Sequence, residues 1–452
     1  MIDLEQNLAG ALRRKIQEAT ARVAVIGLGY VGLPLAMGFA RRGFTVEGLE
    51  DNAEKVRLLS EGFDYIDGHH DELKPLVAER LHAGRDFSVL ETCDAIIICV
   101  PTPLTRNREP DISYVQDVSQ RIGQHIRPGT LVVLESTTYP GTTEEVVRPA
   151  LEAAGRVRQA GEDYFLAFSP ERVDPGNPNY NTYNTIKVVG GLTPTCGDLT
   201  ALLYSHMLDR PDLVKRATST RAAEMEKLFE NIFRSVNIAL VNELAILCRE
   251  MGLDVWEIIE LASTKPYGFM PFHPGPGIGG HCIPLDPFYL TWKAREFDHQ
   301  TRFIELAGEI NTRMPYHVVS LAAEALGEKG LKGARVLVLG VAYKKDVADP
   351  RESPSLRVLE ILRNRGALVA YHDPLIPSFR CTSGTEMHSI DLANLEDYDC
   401  VVLATDHSSY DLAEIAARSQ RLVDTRGVTR GLKHRKGITR LGVPNQEEEE
   451  GR

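Results

Sequence analysis

Between Pro274 and Pro287 the chain reads Pro274-Gly275-Pro276-Gly277-Ile278-Gly279-Gly280-His281-Cys282-Ile283-Pro284-Leu285-Asp286-Pro287, with four glycines and one cysteine. Glycine at this density excludes a helix or a regular strand and lets backbone take positive φ and pass close to a ligand. A thiol on such a loop, four residues before a carboxylate, suits a nucleophile with an acid–base partner, here Cys282 with Asp286. A glycine- and proline-rich connector with a buried cysteine would read the same way in isolation. Upstream, Lys227 and Asn231 lie four residues apart in a long run of helical periodicity, so they share one helix face. A cation and an amide so placed can stabilise a developing oxyanion if their face meets the Cys282 loop. Otherwise they are a polar stripe on an amphipathic helix.

These groups need a frame, and the N-terminal part of the chain supplies one. Leu4, Leu8, Leu12 and Ile16 recur every four residues, which predicts a short amphipathic helix. Arg22–Ile26 reads as a buried strand that runs directly into Gly27-Leu28-Gly29-Tyr30-Val31-Gly32 and then a helical pattern. Strand, G-x-G-x-x-G and helix in that order form the dinucleotide fingerprint. Its glycines serve the tight turn, the approach to the pyrophosphate and the close helix–strand packing. The helix N-terminus offers its free N–H groups to the phosphates. A second strand, Thr45–Leu49, ends at Glu50, where a carboxylate would bind both ribose hydroxyls and repel a 2′-phosphate. NAD, rather than NADP, is the implied cofactor.

Further strand-like runs at Ala95–Val100, Thr130–Glu135, Tyr164–Phe168 and Thr185–Val189 alternate with helical patterns, as in a doubly wound α/β domain. Three of them end in polar or proline-rich turns: Val100-Pro101-Thr102-Pro103, Glu135-Ser136-Thr137-Thr138 and Ser169-Pro170-Glu171-Arg172. Ligands in such sheets bind beyond the carboxyl ends of the strands, so these three turns together outline a site. From Thr218 to about Gly252 runs a long helix, with another after Thr301, a spine of the kind that forms dimer contacts. The third section opens at about Lys332 with a strand ending at Gly340 and continues Val341-Ala342-Tyr343-Lys344-Lys345-Asp346. Lysines in place of a glycine fingerprint, then Arg351-Glu352-Ser353-Pro354 opening a helix, suit a second anionic group. Strands Leu368–Tyr371 and Cys400–Ala404 complete a smaller α/β domain.

The chain's 452 residues, 43% hydrophobic and 25% charged, accommodate about three domains with sizeable cores. A net charge of −12 argues against a nucleic-acid binder. No unbroken apolar run approaches the ~20 residues of a membrane span, and no signal-peptide pattern opens the chain. Seven cysteines without regular spacing point to reduced thiols in the cytoplasm and to no metal site. The run Glu447–Glu450 reads as a solvated acidic tail.

In order and spacing, Gly27–Gly32, Glu135-Ser136-Thr137, Ser169-Pro170-Glu171-Arg172, Lys227 with Asn231, Gly279-Gly280-His281-Cys282 and Tyr343-Lys344-Lys345 with Arg351-Glu352-Ser353 resemble the nucleotide-sugar 6-dehydrogenases (UDP-glucose/GDP-mannose dehydrogenases). The resemblance runs from about Arg22 to about Thr429. It implies an N-terminal Rossmann-like NAD domain, a central long-helix region and a C-terminal Rossmann-like nucleotide-sugar domain. The corresponding boundaries are a helical arm at 1–21, the NAD domain at 22–212, a dimerising helical region with the catalytic loop at 213–328, the UDP-sugar domain at 329–440 and a tail at 441–452.

By that resemblance Cys282 is the nucleophile, while Lys227 and Asp286 assist acid–base steps and stabilise the oxyanion. Asn231 positions the reacting oxygen, Glu171 is a carboxylate at the reacting centre, and Thr137 holds a water there. The cofactor set is Gly27, Gly29, Tyr30, Val31, Gly32, Glu50, Lys55, Thr102, Thr137 and Arg351. The substrate set is Glu171, Arg172, Lys227, Asn231, Gly279, Lys344 and Arg426. His281 and Leu285 stand where the glucose-specific branch carries Ser and Lys, which argues against UDP-glucose. The stretches Ser169–Pro178 and Gly277–Pro284 are most similar to the UDP-N-acetylglucosamine branch that feeds bacterial surface polysaccharides, with UDP-N-acetylmannosamine, and after it UDP-glucose, as the alternatives.

The implied reaction is a four-electron oxidation of a C6 alcohol to the acid, with a thioester between its halves. A single-step β-hydroxyacid dehydrogenase would share the Lys–Asn pair but has no use for Cys282 or for a second α/β domain. A non-catalytic NAD-binding regulator would need none of Lys227, Asn231 and Cys282.

Overall fold

The computed structural model describes residues 2–444 apart from 67–69, 106, 108, 175, 281–282, 382–383 and 433–436, with side chains from residue 7 onward. His281, Cys282 and the Glu447–Glu450 run lie outside the described residues, as does the Leu4 side chain. The chain divides into two compact units, Met1–Glu230 with Phe288–His299, and Asn231–Pro287 with Gln300–Arg452.

In the first unit, short β-branched and leucine-rich runs form β1 (Arg22–Ile26), β2 (Thr45–Leu49), β3 (Leu81–Gly84), β4 (Ala95–Ile98), β5 (Leu131–Leu134), β6 (Phe165–Phe168), β7 (Lys187–Gly191) and β8 (Val214–Ala217). They assemble in the order β3-β2-β1-β4-β5-β6-β7-β8. β4, β5 and β6 are apolar at every position and buried throughout, as strands covered on both faces must be. Alternation along β1 sends Val23 and Val25 to one core and Ala24 and Ile26 to the other. The first helix, Ile2–Gln17, adds Leu12 and Ile16 to the first of these cores, with Leu8 packed against it. Strand order reverses between β1 and β4, which is where such sheets open a ligand crevice.

One pairing breaks the parallel pattern. β7 runs antiparallel to β6, with Phe168 opposite Gly190 and Ala167 opposite Gly191. Reversal puts the first residue of β7, Lys187, at the edge where β4, β5 and β6 end.

The second unit holds β9 (Arg335–Leu339), β10 (Leu368–His372), β11 (Ser378–Arg380), β12 (Glu386–His388), β13 (Cys400–Leu403), β14 (Leu422–Asp424) and β15 (Ile438–Arg440). Five of these make a parallel sheet, β10-β9-β13-β14-β15, while β11 and β12 pair as an antiparallel hairpin. Here the order reverses between β9 and β13, and the Lys344 turn leaves β9 at that point.

The helix Thr220–Glu250 passes from one unit into the other, and Arg302–Leu326 is the second long helix. By length and composition Thr220–Glu250 meets the test for a membrane span, although the sequence has no unbroken apolar run of that size. Its inward positions are taken by protein: Leu228, Ile232, Ala239, Val241, Ala245 and Cys248 are all buried. Val241, Ala245 and Cys248 pack with Val255, Trp256 and Ile259, so it is a core helix. The sequence reading placed the ends of this helix within two residues, but it missed β3, β8, β11, β12, β14 and β15, each only three or four residues long.

Candidate active site

The glycine turn after β1 is built as its residue types require. Gly27 has φ +90°, and a Cβ there would come within 2.5 Å of the Cys99 carbonyl oxygen. A Cβ on Gly32 would sit 1.8 Å from the Gly27 carbonyl oxygen, so this position also needs glycine. Gly29 has nothing within 4 Å of the same construction, which leaves that side open for a pyrophosphate. The helix Gly32–Arg41 starts after Val31, which provides no side-chain cap, and has no acidic residue in its first turn. Its first N–H groups therefore remain suited to an anion. Beyond β2, the Glu50 carboxylate accepts from the Leu28 N–H at 3.2 Å and the Asn52 N–H at 3.1 Å, and the Lys55 ammonium is 3.6 Å away. Across the crevice the Thr102 hydroxyl donates to the Thr137 carbonyl at 2.8 Å, and Tyr289 donates to the Thr102 carbonyl. These residues fit a dinucleotide.

At the carboxyl edge of the same sheet is a buried cluster of charge. The Lys187 ammonium is 2.9 Å from Glu135 and 3.4 Å from Glu171, and Tyr204 donates its hydroxyl hydrogen to Glu135. Burial lifts the Glu135 carboxyl to about 7, with Lys187 pulling down and Glu171 pushing up. Burial alone would also raise Glu171. Lys187, the N–H groups of Val173 and Arg172, and the Lys227 charge more than offset it and hold Glu171 below the usual carboxylate range.

Three further contacts tie the first turns of the long helix to this edge. Glu224, itself buried, accepts from the Gly141 and Thr143 N–H groups at 2.6 and 2.9 Å and from the Thr143 hydroxyl at 2.7 Å. Thr220 donates to Glu144 at 2.9 Å. Arg172 pairs with Glu230 and, at 3.5 Å, with Glu226, and also donates to the Ile186 carbonyl at 3.0 Å. A substrate contact through Arg172, as the sequence suggests, would have to displace one of these partners. Lys227 is buried on the same turns.

In the second unit, the glycine loop is held at both ends. Asn242 accepts from the Gly275 N–H at 2.9 Å and donates to Asn311 at 3.0 Å, and Asn311 donates in turn to the Ser235 carbonyl at 3.0 Å. At the far end Asn231 donates to Asp286, the buried residue that opens the helix Asp286–Ala294. Between these anchors a Cβ on Gly279 would lie 2.8 Å from both Tyr343 and Pro354, and one on Gly280 3.0 Å from the Tyr343 ring. Glycine is required here because the loop runs flat against the turn that carries Lys344.

That turn is pinned from beneath. Asp373, just past β10, accepts from the N–H groups of Val341 and Ala342 at 2.7 and 2.9 Å and meets His407 Nε2 at 3.2 Å. His407 Nδ1 accepts from the Asp346 N–H at 3.0 Å, in a turn where Asp346 has φ +58°. Arg351 forms a two-pronged pair with Asp349, at 2.9 Å on each prong. Arg426 donates to the Ala404 carbonyl at 2.7 Å, and its guanidinium lies 3.0 Å from a Cβ built on Gly275. The sequence reading passed over Lys187, Tyr204, Asp373 and His407. Only Lys187 left a signal, a lysine within a strand otherwise made of Val and Gly.

Comparison with known proteins matches the NAD binding domain of the UDP-glucose/GDP-mannose dehydrogenase family to residues 21–208, its central domain to 221–313 and its UDP binding domain to 337–431. The chain belongs to this dehydrogenase family. It is 35% identical over 392 residues to the UDP-N-acetyl-D-glucosamine 6-dehydrogenase of Pseudomonas aeruginosa, covering 86% of this chain and 91% of that one. It is 37% identical over 401 residues to the UDP-N-acetyl-D-mannosamine dehydrogenase of Pyrococcus horikoshii, covering 86% and 90%. The solved structure of the UDP-D-ManNAc dehydrogenase from Pyrococcus horikoshii superimposes with a TM-score of 0.83 at 33% identity, over 93% of this chain and 99% of that one. As a member of the UDP-glucose/GDP-mannose dehydrogenases, the chain is an NAD-dependent UDP-sugar oxidoreductase.

The position of Glu50 beside the glycine turn yields a prediction about the cofactor. NAD should be strongly preferred over NADP, because a 2′-phosphate would meet the carboxylate. Glu50→Ser should narrow the ratio of kcat/KM values by ~10-fold or more. Steady-state kinetics with both cofactors checks this, and equal efficiencies in the unaltered enzyme would contradict it.

Proposed function

We propose that the protein is a UDP-N-acetylglucosamine 6-dehydrogenase that oxidises the C6 alcohol to the uronic acid through a thioester on Cys282. The observation that carries the reading is the glycine loop, fixed by Asn242 at one end and by Asn231 at the other and laid against Tyr343. The anchored loop runs flat against the turn that carries Lys344, and the sequence puts its one cysteine, Cys282, four residues before the anchored Asp286. The stretches Ser169–Pro178 and Gly277–Pro284, and the relative from Pseudomonas aeruginosa, support the glucosamine configuration. UDP-N-acetylmannosamine is the second reading, supported by the relative from Pyrococcus horikoshii.

NAD, when bound, accepts the hydride in each of the two oxidations. By the family resemblance, Gly27, Gly29, Tyr30, Val31, Gly32, Glu50, Lys55, Thr102, Thr137 and Arg351 are the residues that would hold it, and Lys344, Arg426, Gly279 and Arg172 those that would serve the UDP-sugar. Asn231 orients the C6 oxygen while Lys227 and Asp286 handle its proton. The Cys282 sulfur adds to the aldehyde carbon, and loss of the C–H hydrogen from that adduct leaves a thioester. A water oxygen then attacks the carbonyl carbon, the thiolate leaves, and Glu171 takes the water's proton. The sum is one alcohol, two NAD and one water giving one carboxylate, two NADH and three protons. The functional partition proposed is 22–212 for the cofactor, 213–328 for the catalytic helices and loop, and 329–440 for the UDP-sugar. A cytoplasmic setting agrees with six described cysteines that are free thiols.

A homodimer through the long helix is also proposed. Phe229, Phe233, Leu240, Leu247 and Met251 are 64%, 43%, 61%, 48% and 62% exposed at helical spacing, an apolar stripe too regular for ordinary surface. Sedimentation should give a dimer, and Leu240→Glu with Leu247→Glu should give a monomer. Monomeric wild-type protein at micromolar concentration would remove the proposal.

A panel of UDP-sugars should give the highest kcat/KM with UDP-N-acetylglucosamine, and two NADH per sugar. UDP-glucose outperforming both N-acetylated sugars would overturn the assignment. Cys282→Ser should keep NAD and UDP-sugar binding, since neither site uses the thiol, while uronate formation falls by ~10³-fold or more. A serine variant that makes the acid at near wild-type rate would show the cysteine to be a bystander.

A further inference from the structure

Lys187 is a full charge with almost no water: its side chain is 5% exposed, that of Glu135 0%, and that of Glu171 16%. Only Glu171 of the three reaches the surface of the site. Its two oxygens are held differently. Oε1 accepts from the Arg172 and Val173 N–H groups at 2.8 and 2.9 Å, and Oε2 faces the Lys187 ammonium at 3.4 Å. The carboxylate plane is thereby fixed.

The charged and titratable groups around Glu171 can be named element by element. Lys187 comes from β7, Glu135 from the end of β5, Lys227 from the long helix, and Tyr204 and Cys99 lie behind Glu135. The Arg172 guanidinium is turned to Glu226 and Glu230. Two acids therefore compete for one sealed cation. Glu135 is pushed up by burial and bonded by Tyr204, and Lys187 lies between it at 2.9 Å and Glu171 at 3.4 Å.

We propose that Lys187 is a positioning residue that fixes the orientation of Glu171 and keeps it ionised as the proton acceptor at the reacting carbon. This rests on the reading above that Glu171 takes the proton of the attacking water. Lys187 itself lies behind Glu171, with its side chain only 5% exposed. Its place follows from the antiparallel turn of the chain, since β7 starts where β6 ends and the Ser169 hydroxyl donates to the Val188 carbonyl at 2.9 Å.

A proton acceptor works only when ionised, so kcat falls on the acid side with the ionisation of Glu171. In Lys187→Met the attractive cation is gone, the Glu171 ionisation moves up, and the acid limb of the kcat profile should move up by about 1–3 pH units. The dissociation constant for NAD, measured by fluorescence, should stay within about twofold, since the glycine turn is untouched. Because Lys187→Met leaves two buried carboxylates side by side, Lys187→Met with Glu135→Gln gives a second variant without that repulsion, in which a smaller shift in the same upward direction is expected. The wild-type enzyme provides a test that needs no folded variant. With ¹³C-labelled glutamate, the carboxyl resonance absent from Glu171→Gln should titrate below the ordinary glutamate range.

An unmoved limb in both lysine variants, or a wild-type Glu171 resonance that titrates in or above the ordinary range, overturns the role of Lys187. If Glu171→Gln itself retains near wild-type turnover, the underlying reading of Glu171 has failed instead. An inactive Glu171→Gln together with unshifted lysine variants would sink the Lys187 proposal alone.

Discussion

Burying an ionised carboxylate at the end of a parallel sheet costs several kcal/mol unless a cation is buried with it. The first sheet ends in two buried acids, Glu135 after β5 and Glu171 after β6, of which Glu171 is the one held below the usual carboxylate range, and the cation between them is Lys187. Much of the first unit follows from this. The sheet must include a strand that enters the edge from the opposite direction, because a lysine at the start of a parallel strand would lie at the other end. Tyr204 must be near enough to share the Glu135 charge. The long helix must bring its own carboxylates, Glu226 and Glu230, to Arg172, so that the adjacent guanidinium does not compete for Glu171.

The same constraint shows what was legible in the sequence. The glycine turn, Glu50, and the three turns at 100–103, 135–138 and 169–172 are local patterns, and each is found where its pattern implied. Lys227 with Asn231, four apart on a helix, needed only helical periodicity. Lys187 did not yield to such reading, because its importance depends on the direction of β7, and a run of apolar residues has no direction. Asp373 and His407 were missed for a related reason. They are far apart in the chain, and only the closing of the second sheet brings them together. The carboxyl-edge location of the site was readable, but the second layer of groups behind it was not.

Comparing the two sheets makes that second layer clearer. Each places an acid just after the strand next to its glycine-bearing turn: Glu50 after β2 and Asp373 after β10. Glu50 keeps 13% of its side chain exposed and has one backbone N–H of the glycine turn to bind. Asp373 is fully buried, with Val341, Ala342, Leu375 and Ile376 N–H groups and His407 around it. In the first sheet the acid is available to a ribose. In the second it is spent on holding the turn that carries Lys344. One strand arrangement thus gives its carboxylate two different uses, separated by whether that single side chain faces outward.

The segment Phe288–His299 belongs to the first unit although it comes after the start of the second. Tyr289 is fully buried there, Trp292 packs on Tyr139 with ring centroids 4.9 Å apart, and Lys293 meets Glu145 at 2.8 Å. During synthesis the first unit therefore lacks part of its own core until residue 299 has left the ribosome. A fragment ending after the long helix's first turns would expose the pockets that Tyr289 and Trp292 fill. The cofactor-binding half of this enzyme is not a detachable cassette, and its completion is timed by the translation of the half that follows it.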